Sequence, residues 1–120
     1  MIYDIIIIGG GINGILTLEY FINLKKKVLL IDKSSNLLSF LNNYMYDDLE
    51  FISEGNKINM KKNVVSVKHL KDTFINKSNN YISNIKLNEE GKIITHKKDY
   101  ITLNTDSNTY NCKNIMFNRI

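Results

Sequence analysis

The segment Gly9-Gly10-Gly11-Ile12-Asn13-Gly14 constrains this chain more than any other. It separates two segments of different period. Before it, Met1-Ile-Tyr-Asp-Ile-Ile-Ile-Ile8 is a nearly continuous β-branched run, the pattern of a strand covered on both faces in a parallel sheet. After it, Ile15, Leu18, Phe21 or Ile22, and Leu24 recur at helical spacing, so a helix is expected over 12–24. Val28-Leu-Leu-Ile31 is apolar again and ends on Asp32 and Lys33. Strand, glycine turn, helix, strand is a βαβ unit, and such crossovers are right-handed almost without exception.

Gly9, Gly11 and Gly14 satisfy G-x-G-x-x-G in the context that gives the pattern meaning, directly after a strand and opening a helix. Each position has a physical reason. Gly9 permits the sharp turn off the strand, Gly11 lets a pyrophosphate approach the backbone, and Gly14 lets the helix pack closely on the sheet. The free N–H groups of the first helical turn then face the phosphates, with the helix dipole adding to the attraction. Asp32 ends the second strand about 20 residues beyond the glycines, where a carboxylate accepts hydrogen bonds from ribose hydroxyls and repels a 2′-phosphate. Adjacent Lys33 softens that repulsion. A glycine turn can be only a turn and a strand-ending Asp only a loop cap. Their joint order and spacing favour a dinucleotide.

Composition narrows the alternatives. The chain is 43% hydrophobic and 23% charged, a globular balance. Its net charge of +4 comes from lysines scattered over every segment and not from a phosphate-tracking stripe, so a nucleic-acid partner is not expected. Lys25, Lys26 and Lys27 read as a solvated helix terminus, where cations suit the dipole. The single cysteine, Cys112, excludes an internal disulfide or a CxxC site and reads as inert core packing. His69 and His96 lack partners at metal or triad spacing and read as surface residues. Asp47, Asp48 and Glu50 form an acidic stretch that reads as solvated. The apolar run at 5–8 is too short to span a bilayer, and a soluble, cytoplasmic location is expected.

Beyond Lys33 the pattern weakens. Residues 34–60 read as an irregular connection with one short helix near 37–41, and Val64, Val67, Leu70, Lys71 and Phe74 suggest a second helix over 63–76. The β-branched Val64-Val65 argues against its first turn. The remainder alternates like antiparallel strands: 82–87, a turn at 88–91, 92–95, 100–105, a turn at 106–108, 109–111 and 115–117.

The stretch Tyr3-Asp-Ile-Ile-Ile-Ile-Gly-Gly-Gly-Ile-Asn-Gly-Ile15, with Asn23-Leu-Lys-Lys-Lys-Val-Leu-Leu-Ile-Asp-Lys33, resembles the opening of the FAD-dependent oxidoreductases that carry a Rossmann-type FAD domain. In that superfamily an aspartate precedes the first strand, a triple glycine ends it, and the second strand usually closes in Glu-Lys. A strand hairpin then crosses to a sheet strand running into Ala-Thr-Gly, and Ile101–Tyr110 followed by Asn114-Ile-Met-Phe117 resembles that approach. The hairpin favours FAD over NAD, because a nicotinamide dehydrogenase more often continues with further βα units. The sequence departs from the pattern in three places. Leu18 stands where alanine is usual, Asp32 replaces glutamate, and Asn118-Arg-Ile120 stands where Ala-Thr-Gly is expected. The resemblance also bears on the branch. The glutathione-reductase type carries a cysteine pair soon after the second strand, and 34–46 contains none. The thioredoxin-reductase type places its pair in a later domain, leaving monooxygenase-like, amine-oxidase-like and dehydrogenase-like branches open.

The expected fold is therefore α/β: a Rossmann-like parallel sheet started by an N-terminal βαβ unit, with an antiparallel hairpin crossover in the C-terminal half. One incomplete FAD/NAD(P)-binding domain is expected over 1–120, with 1–33 the βαβ unit, 34–80 irregular plus helix, and 81–120 the hairpin and sheet strand. The candidate cofactor-binding residues are Gly9, Gly10, Gly11, Ile12, Asn13, Gly14, Asp32 and Lys33. No nucleophile–base pair and no metal site is expected, so any catalysis belongs to the flavin. The expected partner is a small dinucleotide, with a missing C-terminal region or a partner chain completing the site. A truncated, non-catalytic nucleotide-binding remnant and an NAD-dependent dehydrogenase fragment are the rival readings.

Overall fold

The chain leaves its first strand pairing after only two residues. Strand β1 (Ile2–Tyr3) runs parallel to β11 (Thr109–Cys112), and β2 (Ile5–Ile8) belongs to a different sheet. The expected single strand over 1–8 is thus split at Asp4. There the backbone N–H donates to the Lys27 carbonyl at 2.7 Å, while the side-chain carboxylate accepts from the Lys27 N–H at 2.8 Å. A polar residue that satisfies both Lys27 backbone groups lets the chain change sheets without leaving those groups unpaired. The computed structural model describes residues 1–35, 37 and 64–118, with the strand segments 48–50, 52–53 and 56–57; side chains are described for 1–35, 37 and 72–118.

The central sheet is parallel, in the order β12 (Ile115–Phe117), β2, β3 (Val28–Ile31), β8 (Ile85–Lys86). Helix α1 (Ile12–Asn23) makes the crossover from β2 to β3, as expected. It closes with Lys25 at φ +60°, whose N–H donates to Ile22, and with the Lys26 N–H donating to Phe21. Those bonds satisfy the last carbonyls in a left-handed cap, and Lys25, Lys26 and Lys27 are exposed beyond it.

Both faces of the central sheet are covered, which is why β2 and β3 are apolar without alternation. On one face Ile7 and Leu30 pack with Ile15, Leu18 and Val28, flanked by Phe74, Tyr81 and Ile85. On the other, Ile6, Leu29 and Ile31 pack with Leu103 and Cys112. Those last two residues belong to the second sheet, ordered β1, β11, β10 (Ile101–Thr105), β9 (Gly91–His96), with antiparallel pairing through β9–β10–β11. Cys112 is fully buried there, the core role read from the sequence. At Lys113 and Asn114 the chain returns to the central sheet, and β12 pairs parallel with β2.

Several expectations are corrected. Residues 34–60 are not wholly irregular: β4 (Asp48–Glu50) pairs antiparallel with β7 (Val64–Ser66), and β5 (Ile52–Ser53) with β6 (Asn56–Lys57). Of the short helix near 37–41, Leu37 lies in a turn and the rest is outside the described residues. The second helix, α2, spans Val67–Ser78, because Val64-Val65 take the strand that their branching favours. The segment 82–87 is not an antiparallel strand. A 3₁₀ segment covers Asn79–Asn84, and Ile85-Lys86 pair parallel with β3 at the edge of the central sheet. Ile85 and the exposed Lys86 suffice for that edge, and the alternation that suggested a longer strand reflects Ile82 at 70% exposure.

Candidate functional site

The glycine loop lies at the C-terminal end of β2, between β3 and β12, which is where open α/β sheets bind ligands. Gly9 adopts φ +119°, a conformation closed to side-chain-bearing residues, and its N–H donates to the Ile31 carbonyl at 2.9 Å. The turn expected of Gly9 is therefore present. Gly14 also matches its expected role. A Cβ there would run into the Gly9 carbonyl oxygen, so only glycine lets α1 begin this close to the strand. Gly11 caps α1 in extended backbone, and no side chain caps the helix. Gly11 is buried, Ile12 half-buried and Asn13 exposed. The first-turn amides of α1 are thus a set of donors suited to an anion.

Asp32 sits where the sequence places it, at the end of β3, and it is already engaged. Its Oδ2 accepts from the Gly10 N–H at 2.9 Å and its Oδ1 from the Ser34 N–H at 3.1 Å. A carboxylate has about four lone-pair positions, so acceptor capacity remains for ribose hydroxyls. This contact gives Gly10 a role that the G-x-G-x-x-G spacing does not assign. A Cβ on Gly10 would meet Asp32 Oδ2 and lie 2.6 Å from Leu37 Cδ2. Lys33 is exposed beside it.

Two residues that the sequence did not single out complete the surroundings. The first is Glu89, 3% exposed on the turn after β8. Its N–H donates to the Asp32 carbonyl at 3.0 Å, and Asn88 donates likewise to Ser34. Its carboxylate accepts from Thr105 Oγ1 at 2.6 Å, Asn108 Nδ2 at 2.9 Å and Tyr110 Oη at 2.9 Å. Burial alone would raise the Glu89 carboxyl. The bonds from Thr105, Asn108 and Tyr110 outweigh it and hold the pKa below the ordinary value, with Asp106 opposing. Burial, then the bond to Glu89 and its charge, push the Tyr110 phenol up to about 12. The hairpin is thereby tied to the loop that carries Asp32. In the sequence, Asn88-Glu-Glu-Gly91 looks like any polar turn, and only the partners across the hairpin distinguish Glu89.

The second is Asn118, which follows β12. Its N–H donates to the Ile8 carbonyl at 2.8 Å, extending the ladder beside the glycines. Its Nδ2 lies 3.5 Å from the Gly9 carbonyl and 3.0 Å from the position a Gly14 Cβ would take. The other candidates stay apart from the site. His96 is exposed at the end of β9, and His69 lies within α2. Asp48 and Glu50 fall on β4, and Asp47 lies outside the described residues. Among the described residues no group of His, Cys, Asp and Glu could hold a metal ion, and no helix is long and apolar enough to cross a membrane.

No protein-family model matches the sequence, and no curated protein matches it. Solved structures do. The bacillithiol disulfide reductase Bdr from Staphylococcus aureus is similar over 98% of this chain, at 18% identity and a TM-score of 0.77. A ferredoxin-flavin thioredoxin reductase from Clostridium acetobutylicum is similar over 98%, at 25% identity and 0.72. OTEMO, in complex with FAD and NADP, is similar over 96%, at 14% identity and 0.75. The chain spans 38%, 37% and 25% of their respective lengths. These likenesses establish the Rossmann-like fold, including the antiparallel crossover. Two reductases and OTEMO share it, so the fold leaves the branch open and returns the thioredoxin-reductase type to consideration.

Proposed function

We propose that this chain is a dinucleotide-binding section of a flavin-dependent oxidoreductase, forming one incomplete domain over 1–120 that holds FAD by its ADP half. The carrying observation is the bond from Gly10 to Asp32, which sets the ribose-type acceptor beside the uncapped start of α1. The donor set fits such a ligand: amides for the pyrophosphate, a carboxylate for the adenosine ribose, and glycines that leave the backbone open. Gly9, Gly10, Gly11, Ile12, Asn13 and Gly14 address the diphosphate, and Asp32 with Lys33 the adenosine ribose. Asp32 disfavours a 2′-phosphate in the same place. The likeness to OTEMO in complex with FAD and NADP, and to a reductase named for flavin, supports FAD over NAD. When bound, FAD supplies the redox chemistry, and this chain's residues bind and orient its ADP half.

Titration of the purified chain with FAD, NAD and ADP-ribose tests the reading. Quenching of FAD fluorescence, with FAD bound more tightly than NAD, is the expected result. A protein that leaves FAD fluorescence unchanged overturns it. A second reading follows from the span, a quarter to two-fifths of the similar chains: a non-catalytic nucleotide binder completed by a partner chain or further sequence. Equal affinity for FAD, NAD and ADP-ribose favours that reading, and tighter NADH than FAD binding favours a dehydrogenase.

A further inference from the structure

Asn118, the residue that follows β12, reaches the glycine loop. The parallel register, Phe117 opposite Ile8, carries Asn118 alongside Gly9, and the Asn118 N–H bond to Ile8 fixes it there. Its backbone approaches Gly9 closely, since a Cβ on Gly9 would lie 2.8 Å from the Asn118 carbonyl oxygen and 3.2 Å from its Cβ. Its carboxamide points across the loop toward the start of α1, with Nδ2 near Gly14. A carboxamide brings two N–H donors, and among the described residues its side chain makes one hydrogen bond, at 3.5 Å to the Gly9 carbonyl. That length is at the limit of a useful bond, so the amide is held in place but not consumed. Half-buried position, spare donor capacity and contact with two glycines of the loop describe a group poised for an anion.

We infer that Asn118 is a specificity-determining residue of the glycine-loop site, selecting ligands that carry a diphosphate by donating its carboxamide N–H to a phosphate oxygen. This rests on the dinucleotide reading above and adds a donor from outside the G-x-G-x-x-G segment. A hydrogen bond to a charged oxygen is worth about a tenfold change in affinity, more than its present contact with Gly9 contributes.

Calorimetric titration of the full chain with ADP and with adenosine tests it, using the wild type, Asn118→Ala and Asn118→Asp. Asn118→Ala should weaken ADP about tenfold and leave adenosine unchanged, because adenosine has no phosphate to lose. Asn118→Asp should weaken ADP further, since a carboxylate repels the phosphates while keeping the size of the side chain. Circular dichroism of each variant checks the fold, and the ADP-to-adenosine ratio within one variant is insensitive to partial unfolding. Equal losses for ADP and adenosine, or ADP affinity unchanged or increased in Asn118→Ala, overturn this inference alone. A wild type that binds neither ADP nor FAD overturns it together with the dinucleotide reading.

Discussion

The Gly10 N–H donates to Asp32 Oδ2 at 2.9 Å, which joins the glycine loop to the residue expected to read the ribose. Sequence spacing treats these as separate parts of a fingerprint. In the folded chain they are one unit, because the same carboxylate also accepts from Ser34 at 3.1 Å and thereby shapes the turn after β3. Two backbone bonds, Glu89 N–H to the Asp32 carbonyl and Asn88 N–H to the Ser34 carbonyl, hold that turn against the β8–β9 connection. The protein's own hydrogen bonds thus shape the glycine loop and the Asp32 turn together.

Replacing Asp32 by Asn tests that coupling. Asparagine offers one oxygen, so either Gly10 or Ser34 faces an NH₂ group in place of an acceptor. Leaving such a donor unpaired costs about 1–3 kcal/mol. Chemical denaturation should show a loss of that size, and fluorescence titration should show weaker binding of ADP-ribose as well as of FAD. Unchanged stability would mean that the turn does not depend on the carboxylate.

Gly14→Ala is expected to be the most damaging single methyl in the loop. The added carbon meets the Gly9 carbonyl oxygen, which is backbone and cannot rotate away, with Asn118 Nδ2 at 3.0 Å behind it. Overpacking of this kind costs about 1–3 kcal/mol, and here the upper end is expected. A thermal melt compared with Gly91→Ala provides the contrast. The nearest atoms to a Gly91 Cβ are flexible side-chain ends, Leu103 Cδ1 at 3.3 Å and Ile8 Cδ1 at 3.6 Å. That variant should melt close to the wild type.

What the sequence disclosed follows from local rules. The glycine turn, α1, β3 and the acid at its end all depend on periodicity and on residues whose backbone chemistry is distinctive. The split at Asp4 was hidden because β1 and β2 share one β-branched run, and the choice of sheet is made by Lys27 and Asn111 from distant segments. The parallel pairing of Ile85-Lys86 was hidden for the same reason: two residues carry no period, and their partner is β3. Glu89 looked like turn polarity because its partners lie on the far side of a hairpin. The groups that position the site are therefore less legible than the groups that form it.

The Glu89–Tyr110 pair should set the pH limits of stability from both sides. Glu89 has a lowered pKa in the fold, so its stabilisation is present above the ordinary carboxylate value and is lost as pH falls through the folded one. Tyr110 is raised from 10.0 to about 12, so its share is complete below the ordinary phenol value and is lost as pH rises toward the folded one. Glu89→Gln should flatten the acid limb of the urea midpoint against pH. Tyr110→Phe should flatten the alkaline limb and cost about 1–3 kcal/mol at neutral pH, through the bond to a buried carboxylate. An unchanged alkaline limb in Tyr110→Phe would place that titration elsewhere.

Cys112 should behave as a core residue and not as a reactive thiol. It is fully buried between the two sheets beside Leu103 and Ile6, opposite Tyr3 and Ile101 in the strand register. Burial pushes its thiol pKa up, only partly offset by the backbone bond from Asn114. Reaction with a disulfide reagent needs the thiolate and access, and the fold withholds both. Modification by such a reagent should be slow in native buffer and complete within the dead time of mixing in denaturant. The native rate should rise with urea in step with global unfolding, because β11 is tied to β1 on one side and β10 on the other. Fast labelling without denaturant would mean that the β11–β12 turn opens locally, and would weaken the case that the hairpin holds the Asp32 loop rigidly.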